Sequence, residues 1–180
     1  MDAYQSLSAA SATAERRQAL SELLSTASDP LTGSELAARF GVSRQVIVQD
    51  IAVLRASGLP IQASPRGYWL AQPGPALERM VVAVRHTPEQ TEDELLALVD
   101  AGVEVEDVIV AHPLYGELRG ALHLASRADV AQFMAQLRAS QAHLLSELTD
   151  GLHLHTLAAR RRSALERARE VLRAKGYLVE

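Results

Sequence analysis

The sequence predicts an α+β protein in two domains, a small helical domain closed by a β-hairpin and a mixed domain with the layering of an α/β sandwich. Three observations carry this expectation. The run Ala71-Gln72-Pro73-Gly74-Pro75 can continue neither a helix nor a central strand, and it separates two regions of regular hydrophobic periodicity. Ahead of it, helical spacing gives way to two short strand-like runs. Beyond it, strands and helices alternate irregularly through short links, which favours α+β over a doubly wound sheet. The expected layout is a first domain over residues 1–72, a linker at 73–75 and a second domain over 76–180.

Composition narrows the classes. The 180 residues are 48% hydrophobic and 22% charged, the balance of an ordinary globular protein. Aromatics make up only 4%, so the core is built from Leu, Val, Ile and Ala. With no cysteine, disulfides, thiolate metal sites, iron–sulfur clusters and cysteine nucleophiles are excluded. No apolar run approaches the ~18–20 residues that cross a bilayer. The start Met1-Asp2-Ala3-Tyr4-Gln5-Ser6 lacks the basic and apolar regions of a signal peptide. A cytoplasmic protein with no membrane partner is expected. The net charge of −4 falls entirely on residues 73–180, while residues 1–72 balance six Arg against six acids. Of the 18 basic residues 17 are Arg, the side chain suited to bidentate contact with phosphate and guanine, so DNA binding stays open.

Residues 6–14, rich in Ser and Ala, are expected to fray. Leu20, Leu23, Leu24 and Ala27 fall at helical spacing in residues 15–27, and Asp29-Pro30 stops that helix. Thr32-Gly33-Ser34 starts a short helix with Leu36, Ala37 and Phe40, which Gly41 ends in the left-handed conformation. Ser43 is the N-cap of a third helix reaching about Ser57, with Val46, Ile47, Ile51 and Leu54 as its apolar stripe. Ile61-Gln62-Ala63-Ser64 and Gly67-Tyr68-Trp69-Leu70-Ala71, joined by Pro65-Arg66, read as a hairpin.

Short helix, Gly-containing turn, longer helix and hairpin is the order a winged helix-turn-helix needs, with the last helix entering the major groove. Arg44, Gln45 and Gln49 on that helix can address base edges. Ser43, Arg44, Gln45, Gln49 and Arg55 are the candidate DNA contacts, with Arg66 in the hairpin as a phosphate or minor-groove contact. The alternatives are a three-helix bundle that binds protein and, for Arg66, a solvated hairpin tip.

In the second domain Met80 to Val84 is a strand ending at Arg85-His86. Thr87-Pro88-Glu89 opens a helix carrying Leu95, Leu96, Leu98 and Val99. Val105 to Val110 and Leu118 to Leu124 read as strands, and a helix starting at Ser126 or Asp129 follows to about Ser140. Residues 151–157 alternate with period two, residues 160–175 form an Arg-rich amphipathic helix, and Gly176-Tyr177-Leu178-Val179 closes the chain. All six histidines lie here. His153 and His155, two apart on a strand, point to one face and form a two-imidazole pincer. If the strand ending at His86 lies beside them, three imidazoles and the carboxylate of Glu94 converge, a set suited to Zn²⁺, Ni²⁺ or Fe²⁺ with an open position. A His-x-His pair that is only hydrogen-bonded is the plain alternative. His123 and His143 read as exposed or structural, and His112 before Pro113 fits a turn residue.

The run from Leu36 to Arg55, followed by Gly58 and Arg66-Gly67-Tyr68, resembles the winged helix-turn-helix of bacterial repressors related to the biotin repressor. Farther on, His86, Val110-Ala111-His112-Pro113-Leu114-Tyr115-Gly116, the segment Ser126, Asp129-Val130 and Phe133, and the run from Leu148 to Thr156 together resemble the three-histidine (3H) domain. In the niacin-responsive repressors of NAD biosynthesis that domain follows a winged helix in this order, and the resemblance spans about residues 15–180. It implies a divalent metal held by His86, Glu94, His153 and His155, with Glu92 and Asp93 as neighbouring carboxylates. It also implies nicotinic acid, or a related pyridine, as effector and co-repressor, with genes of NAD biosynthesis or niacin uptake as targets. His112 and Tyr115 are candidate effector contacts, and Arg85 or Arg119 a counter-charge.

The function expected is a ligand-responsive repressor binding operator DNA as a homodimer, since one winged helix covers a half-site and two-fold symmetry doubles the contacts. Two alternatives use the same residues: a metal-dependent hydrolase or transferase fused to a DNA-binding module, and a repressor that senses the metal itself. Against the enzyme, the sequence offers no separate general base and no Gly-rich phosphate cradle, and Glu106 and Asp107 read as ordinary strand-edge charges.

Overall fold

A computed structural model describes residues 2–71 and 76–180, with side chains from residue 11 onward; the linker expected at 73–75 lies outside the described residues. The chain divides into two compact units, Met1–Pro73 and Gly74–Glu180. Among the described residues no helix is long and apolar enough to cross a membrane.

The first unit opens with α1 (Asp2–Thr26). The Ser/Ala-rich stretch expected to fray is helical. Ala3, Ala9, Ala10, Ala12 and Ala14 carry the highest helix propensity, and extending an existing helix fixes one residue for each bond gained. Next comes α2 (Gly33–Phe40), started by a capping box in which Thr32 Oγ1 accepts from the Glu35 backbone N–H and the Glu35 carboxylate accepts from the Thr32 N–H. Gly41 closes it. In α3 (Arg44–Ala56), Ser43 Oγ accepts from the Val46 N–H at 3.3 Å. Ile47, Ile51 and Leu54 of this helix pack with Leu20, Leu24 and Leu36. Val46, expected in the stripe, is only half-buried, and the fourth buried position is Asp50.

Strands β1 (Ile61–Ser64) and β2 (Gly67–Leu70) form the antiparallel hairpin. Leu31 adds an isolated antiparallel bridge to β2, exchanging backbone bonds with Tyr68 at 2.9 and 2.8 Å. The approach is so close that a Cβ on Gly67 would lie 2.5 Å from the Leu31 carbonyl oxygen, and only glycine fits.

In the second unit β3 (Glu78–Arg85), β4 (Glu104–His112), β5 (Gly116–Leu124) and β6 (Leu152–Ala159) form one antiparallel sheet in the order β3-β6-β4-β5. A 3-10 turn (Pro88–Gln90) leads into α4 (Thr91–Asp100). Ser126 caps α5 (Arg127–Ser140), a second 3-10 turn spans Leu145–Thr149, and α6 (Arg162–Ala174) follows β6. Val82 and Val84 of β3, Leu157 of β6 and Leu122 and Leu124 of β5 meet Leu95 and Leu98 of α4, Val130 of α5 and Leu165 and Leu172 of α6 in one core. The unit is thus α+β, a sheet with helices packed on it. The closing segment pairs with β3, Arg85 N–H donating to Tyr177 O at 2.8 Å and Val179 N–H to Ala83 O at 2.9 Å.

Candidate functional site

Arg44, Gln45, Gln49 and Arg55 on α3, and the cap Ser43, are all exposed. The capped start of α3 therefore presents its polar side chains to solvent while Ile47, Ile51 and Leu54 hold it down. Arg44 passes over Gly33, where an added Cβ would stand 3.3 Å from Arg44 Nε. Arg66 sits half-buried in the hairpin turn, its N–H donating to Ser64 Oγ at 3.1 Å.

The helix is anchored by a charge the sequence reading passed over. Asp50 is buried, and its two oxygens accept from Arg16 Nε at 2.6 Å and Arg17 Nε at 2.8 Å, both from α1. Burial alone would raise this carboxyl, but the two arginine hydrogen bonds outweigh it and hold it below the usual range. A signal did exist: Asp50 falls in the 47, 50, 51, 54 register of the buried face.

The second unit brings His86, Glu94, His153 and His155 together. His153 and His155 lie on β6 opposite Val84 and Val82 of β3, on the same face as Leu157. His86 follows the end of β3, beside Gly151. Glu94 projects from α4 in the register of Thr91, Leu95 and Leu98, the buried face of the helix. That register selects it over its neighbours. Asp93 is exposed and bound to Lys175 and Tyr177, and Glu92 lies 3.6 Å from Arg138.

Each imidazole turns Nε2 towards Glu94 Oε2, at 2.7 Å for His86, 3.4 Å for His155 and 3.7 Å for His153. His86, Glu94 and His153 each place a ligand atom within 4.8 Å of the other two. His155 Nε2 joins at 3.1 Å from His153 Nε2. Every Nδ1 meets a backbone carbonyl: Thr87 O for His86 at 2.8 Å, Gly151 O for His153 at 2.9 Å and Asp107 O for His155 at 2.5 Å. A carbonyl only accepts, so each Nδ1 carries its hydrogen and each neutral ring aims the Nε2 lone pair inward. Lone pairs 3.1 Å apart around a carboxylate require a cation among them, either protons or a metal ion. Glu94 Oε1 is buried with no partner, a carboxylate oxygen left free on the same group. This donor set fits a divalent transition metal, and the carbonyls supply the outer hydrogen bonds that such histidines use.

Without an ion, protons are the cations of the cluster. Burial raises the Glu94 carboxyl, but the charge of His155 and hydrogen bonds from His153, His155 and His86 outweigh it and hold it well below the usual carboxylate range. Burial lowers the His86 and His155 imidazoles, yet Glu94 brings both above the ordinary value.

Three supports were not legible beforehand. Asp107 is not a strand-edge charge: it is buried, its carboxylate accepts from the Thr156 N–H at 3.0 Å and from Arg119, and its carbonyl orients His155. The strand-edge reading fails because nothing local to the sequence says that β4 lies between β6 and β5. Tyr177 packs on His86, ring centroids 5.3 Å apart, and donates its hydroxyl to Asp93 at 2.7 Å. That bond, with burial, raises the phenol to about 12. Gly151 has φ +81, and a Cβ there would stand 2.2 Å from the His86 carbonyl oxygen.

The cluster lines a cavity of about 30 Å³, otherwise walled largely by Leu95, Val108, Leu122, Phe133, Leu144 and Leu145. His112 and Tyr115 do not line it. They stand at the β4–β5 turn, where His112 Nδ1 accepts from the backbone N–H groups of Leu114 at 3.2 Å and Tyr115 at 3.3 Å, so His112 braces that turn. His123 pairs with Glu104 and the exposed His143 with Glu147. Arg119 is committed to Asp107, while Arg85 lines a separate open cleft beside His86.

Residues 79–180 match the family model of the 3H domain, and residues 16–69 match that of an HTH domain. A probable transcription repressor NiaR of Thermotoga maritima is 42% identical over 166 residues, covering 92% of this chain and 94% of that protein. The transcription repressor NadR of Bacillus subtilis is 43% identical over 171 residues, covering 93% of this chain and 94% of that protein. Neither relative is named as an enzyme. With more than half its length matched by the 3H model and relatives above 40% identity along nearly all of it, the chain belongs to the family of 3H-domain proteins that carry an HTH domain ahead of the 3H domain.

Proposed function

We propose that this protein is a transcription repressor of NAD metabolism genes whose DNA binding is governed at a metal-bearing effector site. Residues 1–72 act as the DNA-binding domain, 73–75 as linker, and 76–180 as the metal-binding, effector-binding and dimerisation domain. Ser43, Arg44, Gln45, Gln49 and Arg55 meet the operator from α3, with Arg66 reaching it from the hairpin. His86, Glu94, His153 and His155 hold a divalent ion such as Ni²⁺, Zn²⁺ or Fe²⁺, which supplies an open position for a ligand atom. Nicotinic acid offers a ring nitrogen and a carboxylate, and serves as co-repressor by binding one arrangement of a homodimer better than the other.

The observation that carries this reading is the convergence of three inward-facing Nε2 lone pairs on a buried glutamate beside a cavity, in a chain whose relatives are named repressors. The test is a calorimetric titration of the metal-loaded full chain with nicotinic acid. Saturable binding that disappears on chelation is expected, and no binding with metal present overturns nicotinic acid as effector. One observation favours a second reading, with the metal itself as signal: about 30 Å³ is room for one or two water molecules, not for a pyridine ring without movement of the walls. That reading expects operator affinity to follow metal concentration and to ignore nicotinic acid.

A further inference from the structure

Among the described residues two buried side-chain polar atoms have no hydrogen-bond partner, Thr91 Oγ1 and Glu94 Oε1. Both side chains line the same cavity, and both come from one face of α4, three residues apart. A hydroxyl withdrawn from water and left unpaired lowers stability, so such atoms are rare and call for an explanation. A metal ion accounts for the free Glu94 oxygen. It does not account for Thr91, whose neutral hydroxyl adds nothing to a set that already offers three imidazoles and a carboxylate. Apart from the cluster, Thr91 and Ser146 are the polar members of a lining that is otherwise aliphatic or aromatic. Anything occupying the cavity therefore finds few hydrogen-bonding partners besides the metal.

We propose that Thr91 is a ligand-binding residue of the metal centre, its hydroxyl hydrogen-bonding the oxygen or nitrogen atom that fills the open coordination position. The inference rests on the metal-site reading above. A hydroxyl both donates and accepts, so it can accept from a bound water and donate to a carboxylate oxygen that replaces it. The ligand class that fits is a small monocarboxylate whose remainder is apolar, matching Leu95, Leu122 and Phe133.

The test uses the full chain loaded with Co²⁺, as wild type, Thr91→Val and Thr91→Ser. Metal per chain is measured by elemental analysis, and the visible cobalt spectrum is titrated with formate, small enough for the cavity, and separately with nicotinic acid. All three proteins are expected to hold the metal. Thr91→Val should weaken formate binding by about tenfold, the loss of one hydrogen bond, and Thr91→Ser should restore it to within about threefold. Wild-type affinity in Thr91→Val for both acids overturns the proposal and leaves the effector reading intact. A wild-type response to formate but not to nicotinic acid, weakened in Thr91→Val, supports Thr91 while removing nicotinic acid as effector. Metal lost from Thr91→Val but kept by Thr91→Ser overturns the proposal, because the hydroxyl would then serve the metal itself. Failure of the wild type to take up cobalt, or to respond to either acid, overturns it as well.

Discussion

Asp50 shows what a single buried charge does when two partners hold it. Removing the carboxylate leaves Arg16 and Arg17 gathered around an apolar gap, so Asp50→Ala is expected to cost about 3 kcal/mol by denaturant unfolding. The native carboxyl lies below its usual value, so the stability it contributes is complete above the unfolded-state value of ~3.9. It is lost as pH falls through the lower native value. The difference between wild type and Asp50→Ala should therefore shrink below about pH 4. Gly151→Ala tests a different kind of residue. Its Cβ would collide with the His86 carbonyl and part the segments that carry His86 and His153. The expected result is a folded protein with much less bound metal, read by elemental analysis. At this scale legibility was uneven. His86, Glu94, His153 and His155 were identifiable from residue type, spacing and resemblance. Asp107 and Tyr177 were not, because their roles depend on which strand and which helix they touch.

The helix α3 and the hairpin were the easiest elements to foresee. Ser43, Gly41 and the start at Thr32-Gly33-Ser34 are local signals, made by residues a few positions apart, and tertiary context did not have to choose among alternatives. Arg44→Ala or Gln45→Ala is expected to lose roughly 1–3 kcal/mol of operator binding while the fold stays unchanged, measured by fluorescence anisotropy and circular dichroism. Unchanged affinity in both variants would move base reading away from this helix. Arg66→Ala should weaken binding evenly across sequences and reduce the salt slope by about one if it contacts phosphate. The extension of α1 back to Asp2 was less legible, because serine favours caps and turns while the alanines between the serines favour helix. On β6 the period-two alternation correctly placed both histidines on one face. That the face is the helix-covered one followed only from Leu157 sharing it.

For the whole molecule the pH behaviour expected of the proposed metal site follows from His86 and His155. In the metal-free protein His86 and His155 lie above their usual value, so their contribution to stability is complete below ~6.5 and is lost as pH rises through the native value. A metal held by these imidazoles would require those protons to leave, so its binding is expected to strengthen over the same range. The melting-temperature gap between metal-loaded and metal-free protein is expected to widen from about pH 6 to pH 8, read by scanning calorimetry. A constant gap across that range would argue against ligation through the imidazoles. By itself the sequence determined the α+β class, the order of elements, the caps at Ser43 and Ser126, the hairpin and the shared face of His153 and His155, since periodicity, capping and motif spacing are properties of neighbouring residues; the set of four candidate ligands came with the family resemblance. Tertiary structure decided that Glu94 and not Glu92 or Asp93 faces the imidazoles, that His112 braces a turn, that Asp107 orients His155, and that Thr91 is left unpaired beside the cluster. Each of these depends on which elements pack together, and burial and hydrogen-bond partners across more than a few residues exist only once the sheet order β3-β6-β4-β5 has formed.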